Sequence, residues 1–540
     1  MRPFRVALAI LGLGVGIAAG VFLWQPGLDS LYDDSVSYLV LAQWLSPWHA
    51  IDPAVAAAAP LEKYPPVFPL LLALTGGAYD WRIAHLVIAA CFATTVVLLA
   101  LHAARMTRSR ALGIACAVVF ALTPGAWLIA KGILSEYPFM ALSLGVLLWH
   151  ARSEDATPSR RDAAILALLL ASTLLTRTIG VSLCAALVVA EILRWRRNPD
   201  ATRLRRIGAA VAASLAALAT WYLLRPAGGQ DQYAQSLDVM RQGATIDAVG
   251  WLAGSIAANA GAIAVSWLHA MLIFWGEPSS PSFLIAAAFG LLGLAATVYR
   301  ASDGHLDALF TLVFLAILLL WPYPGQMYRL AFPVFPLVLA HAFWALRAGL
   351  GQKLDARRSE RWAAGAAALP LAVCVPAVLF YVGARARMQD APTRAAPKTS
   401  IAEFYRIPSG PAAQENAWRQ LDVMDDLKRV GETTPPDARV MWYTPDYVAL
   451  LARRRGVPLR RPGNPADLAA QLRATGADYI YLSEVQPRDS LWHDGWPLYP
   501  AYLARGMAHI EWARPGAKGD IRAMLLKVDK NKVPNPERSP

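Results

Sequence analysis

The sequence predicts a polytopic α-helical membrane protein of about 11–13 spans with a soluble α/β domain at its carboxy terminus. Three observations lead there. Of 540 residues, 56% are hydrophobic and only 16% charged, where soluble domains carry about 25% charge. Apolar stretches of bilayer length recur through residues 1–383 and then stop. Arginines gather in the short breaks between those stretches.

About 20 apolar residues cross a bilayer. The stretches that approach this length are 5–24, 82–104, 110–123, 127–149, 163–176, 178–193, 206–224, 281–299, 307–321, 329–347 and 364–383. The first follows Arg2 and Arg5 and shows no small-residue cleavage site, so it reads as an uncleaved helix with its amino terminus in the cytoplasm. Arg105, Arg108 and Arg110, Arg160 and Arg161, the arginines of 194–206, and Arg357 and Arg358 then fall on one side. That is the positive-inside pattern. It accounts for the net charge of +13 through topology and contact with anionic bilayer lipids; no nucleic-acid motif competes. Cys91, Cys116, Cys184 and Cys374 lie inside apolar stretches and read as small buried hydrophobes.

The loops at 25–80 and 225–280 face outward on this accounting. Within the first, 65–79 is apolar but short and carries prolines near its start, so it dips into the membrane without crossing. Within the second, 244–276 is mildly apolar with Trp251, Trp267, His269 and Trp275. It reads as interfacial helices lying flat or as a hidden pair of spans.

Residues 1–383 therefore form the membrane domain, 384–400 a polar linker, 401–533 an extracytoplasmic domain and 534–540 a tail. Strands are expected at 439–443, 478–482 and 521–528, and helices at 447–455 and 466–474, the last stopped by Gly476. Such alternation predicts a mostly parallel sheet. The domain has no phosphate loop, metal cluster or nucleophile elbow.

Chemistry-bearing residues sit at the outer ends of the spans. Asp33 and Asp34 follow the first span, and intramembrane or mouth carboxylates are costly without a purpose. They read as a general base or divalent-metal ligand, or as the N-cap of a helix running to Trp44. Adjacent residues point in different directions on a helix, so one is expected to be catalytic and the other structural. Lys63, in Glu62-Lys63-Tyr64-Pro65-Pro66, is placed to hold a lipid phosphate or to snorkel at the interface. Arg177 lies between two apolar arms, where it needs a phosphate, a carboxylate or water. Lys131 and Glu136 are five residues apart and are expected to pair. Arg329 opens a late span behind Tyr323, Gln326 and Tyr328; it is a second phosphate candidate or an interface anchor. Pro333 and Pro336 should break that helix. Tyr38, Glu62, Tyr64, Lys131, Glu136, Tyr323, Gln326 and Tyr328 are candidates to line a substrate cavity.

These elements together resemble the integral-membrane glycosyltransferases of the C-type fold that use polyprenyl-phosphate sugars, and within them the protein mannosyltransferase and lipid A aminoarabinose transferase group. The family's first-loop acidic pair is matched by Asp33 and Asp34, followed by Tyr38 and Ala42. Its Lys-Pro-Pro-Leu element is matched by Lys63, Tyr64, Pro65, Pro66 and Val67, with one extra residue. Its Thr-Arg-x-x-Gly stretch appears as Thr176 to Gly180, and its late Arg-Tyr-x-x-Pro element as Tyr328, Arg329 and Pro333 with the first two exchanged. Asp34 stands where many members have Glu. The resemblance covers residues 1–347.

It implies an inverting transfer from a polyprenyl-phosphate-linked sugar donor to a glycan, lipid or protein acceptor on the outer face of a bacterial inner membrane. Asp33 would be the base and Asp34 its helper. Lys63, Arg177 and Arg329 would hold the donor phosphate, with a divalent cation such as Mg2+ or Mn2+ at Asp33 or Asp34 if a metal takes part. The carboxy-terminal domain would cover the cavity or select the acceptor. The competing readings are a transporter or flippase-like protein for a lipid-linked or polar substrate, which would need repeats and midplane polar groups, and a scaffold in envelope glycan assembly.

Overall fold

The computed structural model describes residues 2–24, 28, 34–59, 64–153, 157–225, 232–272, 280–389, 411–483, 499–515 and 521–534. The helices before the long apolar region are α1 (Arg2–Leu23), α2 (Ser35–Leu45), α3 (Pro53–Ala58) and α4 (Val67–Thr75). Then come α5 (Trp81–Thr107), α6 (Arg110–Ala121), α7 (Pro124–Lys131), α8 (Glu136–Arg152), α9 (Arg160–Leu174), α10 (Val181–Arg197) and α11 (Ala201–Leu224). They are followed by α12 (Gln232–Met271), α13 (Pro281–Ser302), α14 (Leu306–Leu319), α15 (Met327–Ala331), α16 (Phe335–Gly351), α17 (Ala356–Gly365) and α18 (Ala368–Gln389). The chain divides into two compact units. One is Met1–Gln25, Leu61–Phe68 and Arg82–Ala384; the other is Pro26–Pro60, Pro69–Trp81 and Arg385–Pro540.

The first unit is all helix among its described residues. Eight helical stretches in the described chain are long and apolar enough to cross a bilayer, nine if α6 and α7, bent by 57°, are one span. Other apolar stretches form shorter helices. The 14 residues of α14 rise only about 21 Å, short of a hydrocarbon core of about 30 Å. Of the stretch 244–276, expected as several flat helices or a pair of spans, residues 244–271 instead belong to the single 40-residue helix α12, and 273–276 lie outside the described residues. Its apolar half is tied at successive turns. Asn259 donates to the carbonyls of Leu319 and Trp321 at 2.9 and 2.7 Å, and Trp267 donates to that of Ala286 at 2.7 Å. At Gly125 an added Cβ would stand 2.6 Å from Ala270 Cα, so α7 and α12 touch backbone to backbone, as small residues permit in membranes. The break expected at the late prolines is present: α15 ends at Ala331, a 3-10 turn covers Phe332–Val334, and α16 begins at Phe335.

The buried charges of this unit fall into clusters. Asp307 accepts from Arg300 at 3.0 Å and bonds His102 and His341 at 3.3 and 3.2 Å. Glu191 accepts from Arg203 at 2.7 Å and bonds His150 at 2.8 Å. Each meets the requirement that a charge in an apolar interior be paired.

The second unit is built on a five-stranded sheet. Its elements are α19 (Pro411–Thr433), β1 (Arg439–Trp442), a helical segment over Pro445–Ala452, β2 (Arg455–Pro458), α20 (Pro465–Thr475), β3 (Tyr479–Ser483), α21 (Tyr499–Leu503), β4 (Ala508–Pro515) and β5 (Ile521–Val528). The strand order is β2-β1-β3-β5-β4. Strand β1 runs parallel to β2 and β3, whereas β5 is antiparallel to β3 and β4. The sheet is therefore mixed, not mostly parallel. The parallel half returns through α20, while β4 and β5 are consecutive strands that fold directly back on each other. The helix expected over 447–455 ends early. Arg453 takes φ +53°, and β2 starts two residues later. Gly476, at φ +63°, stops α20 as its sequence position predicts.

The short helices of the first outer loop belong to this second unit. Ser37 donates to Asp446 Oδ2 at 2.5 Å. Arg453 donates to Gln43 Oε1 at 2.9 Å and stands 4.0 Å from Asp52, whose carboxylate caps α3 through Ala54 N at 2.8 Å. Gln43 in turn donates to the Ala78 carbonyl at 2.9 Å. Helix α4, nine residues long, spans about 13 Å and is too short to cross.

Candidate functional site

Two of the three expected phosphate-binding cations meet at one carboxylate. Helix α9 stops at Leu174, and Arg177 takes an extended conformation (φ −149°, ψ 129°) before the 3-10 turn Thr178–Gly180 and α10. The interruption aims the side chain away from either helix axis. Its Nη1 donates to Glu136 Oε1 at 2.6 Å and to Ser135 Oγ at 3.2 Å. Arg329, on the five-residue α15, donates through Nε to the same Glu136 oxygen. Glu136 is fully buried, and the side chains of Arg177 and Arg329 are 11% and 22% exposed. Of the three partners expected for Arg177, the described residues supply the carboxylate.

Glu136 begins α8, where the helix dipole favours a negative charge. Ser135 holds the N-cap position without a side-chain cap bond, its hydroxyl being turned to Arg177. The expected pairing of Glu136 with Lys131 is replaced by the two arginine pairs. Residues 132–135 interrupt the helices between α7 and α8, so Lys131 and Glu136 share no helix face. Lys131 is itself buried at the end of α7. Two guanidinium groups thus converge on one buried carboxylate. The Glu136 Oε2 atom is buried and accepts no hydrogen bond among the described residues.

Aromatic packing fixes this carboxylate. Tyr137 donates to the Ala126 carbonyl at 2.5 Å, and its ring lies 4.7 Å from Phe92 and 6.3 Å from Phe332. The Pro-Pro element joins the same region, because Val67 N donates to the Leu175 carbonyl at 2.9 Å. Tyr64 and Tyr328 are buried, the latter with its ring 6.2 Å from His269. Gln326 and Tyr323 instead gather on Trp321: its indole donates to Gln326 at 3.1 Å and its ring lies 6.0 Å from Tyr323.

Asp33, Glu62 and Lys63 lie outside the described residues. Asp34 occupies the N-cap position of α2, as one of its two expected readings has it, without a capping hydrogen bond from its side chain. Tyr38 is buried in α2 and its N–H donates to the Asp34 carbonyl at 3.0 Å. Among the described residues no three His, Cys, Asp or Glu side chains gather as ligands for a metal ion. Glu136 Oε2, flanked by two guanidinium groups, is a poor cation ligand on charge grounds. A cation would depend on Asp33 or Asp34.

Sequence reasoning missed Glu136 as a convergence point and missed Asp446 and Arg453 as partners of α2. The signal for the first was present: an acid at the head of an apolar helix.

The fold of this chain is similar to that of solved membrane proteins. ArnT from Cupriavidus metallidurans, bound to undecaprenyl phosphate, is similar over 96% of this chain and 97% of that one, with a TM-score of 0.52 at 12% identity. The oligosaccharyltransferase AglB from Archaeoglobus fulgidus, in complex with an inhibitory peptide and a dolichol-phosphate, is similar over 95% of this chain and 74% of that one, again with a TM-score of 0.52 and 12% identity. At such identities the likeness is one of fold. No family model matches the sequence, and no curated protein does either.

Proposed function

We propose that the chain is a membrane glycosyltransferase that moves a sugar, with inversion, from a polyprenyl-phosphate-linked donor to an acceptor on the periplasmic face of a bacterial inner membrane. The observation that carries this reading is the meeting of Arg177 and Arg329, 152 positions apart in sequence (329 − 177), on buried Glu136. Two guanidinium groups brought together from distant parts of the chain are the donor type that binds a phosphate, and a polyprenyl-phosphate donor carries one. The similar structures of ArnT and AglB hold undecaprenyl phosphate and a dolichol-phosphate.

In this reading Arg177, Arg329 and Lys63 hold the donor phosphate. An acceptor oxygen or nitrogen attacks the anomeric carbon from the face opposite the phosphate. The bond between that carbon and the phosphate oxygen breaks, and its electron pair leaves on the phosphate. The arginines stabilise the charge that develops there. Asp33, helped by Asp34, takes the proton released by the acceptor. The amino terminus lies in the cytoplasm and the sheet domain in the periplasm.

Transfer of radiolabelled sugar from polyprenyl-phosphate donors, by purified protein in lipid with a broad acceptor extract, tests this directly. Product formation that is lost in Arg177→Ala and in Asp33→Asn supports the reading, and its loss on adding EDTA adds a metal. Folded protein that turns over no donor overturns it.

A further inference from the structure

Helix α2 has 11 residues, a length at which an isolated helix is marginal in water. It begins directly after the acidic pair, and the Tyr38 N–H to Asp34 carbonyl bond places Asp34 in its first turn. Whatever holds α2 therefore sets where Asp34 stands. Two buried polar residues on α2, Ser37 and Gln43, are bonded to Asp446 at 2.5 Å and Arg453 at 2.9 Å. Ser37 and Gln43 are about 9 Å apart along the helix axis, so the two bonds fix direction as well as position. Arg453 also faces Asp52 at 4.0 Å, which ties α3 to the same point.

The segment that bears Asp446 and Arg453 is itself rigid. At Gly456 an added Cβ would stand 2.2 Å from the Pro445 carbonyl oxygen, and at Gly431 2.5 Å from that of Ala452. Backbone therefore packs on backbone at both ends of the segment. Arg454 bonds the Thr434 carbonyl at 2.7 Å, fastening the segment to the end of α19. Arg453 leaves the segment at φ +53°, a conformation a side-chain-bearing residue adopts only where its surroundings impose it.

We propose that Asp446 and Arg453 are positioning residues for the transfer reaction: they hold α2, and with it Asp34 at its head, in the orientation that the chemistry needs. The inference rests on the transferase reading. It gives the sheet domain a task inside the reaction, beyond covering a cavity or choosing an acceptor.

The test uses the full chain in lipid nanodiscs and compares Ser37→Ala, Asp446→Ala, Arg453→Ala and the exchanged pair Ser37→Asp with Asp446→Ser. Each is read by kcat, by KM for the donor, and by hydrogen exchange over residues 34–45. The single variants should lose about tenfold to hundredfold in kcat, the effect of a small misplacement of a reacting group. Their donor KM should stay within about twofold of wild type, and exchange over 34–45 should accelerate. The exchanged pair restores a hydroxyl-to-carboxylate bond with its direction reversed and should recover most of kcat. Ser37→Ala removes one hydroxyl and guards against a variant that fails to fold. Accelerated exchange with unchanged kcat would make the clamp merely structural and overturn the proposal. So would unchanged exchange in all three single variants. Absence of any transfer by wild type would defeat the transferase reading, and exchange would still show whether the clamp holds α2.

Discussion

Each unit contains a cluster of arginine and carboxylate, and the two have opposite arithmetic. In the helical unit one carboxylate, Glu136, serves two arginines. In the sheet unit one arginine, Arg514, serves two carboxylates. It bonds Asp426 at 2.6 Å and Asp422 at 3.0 Å, and the Tyr481 hydroxyl donates to Asp426 at 3.0 Å. Burial and the neighbouring Asp426 charge push the Tyr481 phenol well above its usual range, so it stays a donor. The second cluster pins α19 to the sheet. The first brings two guanidinium groups from distant parts of the chain onto one buried carboxylate. What differs between them is the shared partner, a carboxylate in the helical unit and a guanidinium in the sheet unit, so burial alone does not tell the two arrangements apart.

The largest expected effect comes from deleting the shared carboxylate. Glu136→Ala leaves two guanidinium groups facing each other and should cost about 3–5 kcal/mol of stability, read by thermal unfolding in detergent, with transfer falling below detection. Next, Arg514→Met should destabilise the sheet unit by about 2–3 kcal/mol, discounted because Arg514 is partly exposed, while donor KM stays at the wild-type value. If its donor KM rises, the contrast between the clusters fails. Arg177→Lys and Arg329→Lys keep the charge but lose the planar fork. Each should raise donor KM about tenfold, near 1.4 kcal/mol, with little change in melting temperature. Smallest of all, Lys428→Ala breaks an exposed pair with Asp425 and should shift stability by less than about 0.5 kcal/mol in chemical denaturation of the sheet unit.

Arg177 and Arg329 stood out in the sequence because a guanidinium between apolar arms demands a partner. That partner was not legible: Glu136 lies 41 and 193 residues away from them, and no local period connects such distances. The break at Pro333 and Pro336 and the stop at Gly476 were legible because they follow from backbone chemistry alone. Strand β4 had a readable signal, the alternation of Ile510 and Trp512 with His509 and Glu511, whereas β2 is four residues containing Gly456 and Pro458 and offers almost none. Helix α12 mixes weak hydrophobicity with tryptophans over 40 residues, which fits a flat helix or a crossing one equally well from composition. The clamp on α2 was invisible for the reason Glu136 was, since its partners are 409 and 410 positions away.

The meeting of two arginines at Glu136 has a kinetic corollary under the proposed reaction. A sugar-linked lipid phosphate is a diester with one negative charge, while the carrier left after transfer is a monoester that can bear two. The same two arginines therefore hold the spent carrier more tightly than the fresh donor. Turnover would then be paced by departure of the used lipid, and free polyprenyl phosphate would act as a competitive brake whose strength rises with pH as the monoester takes its second charge.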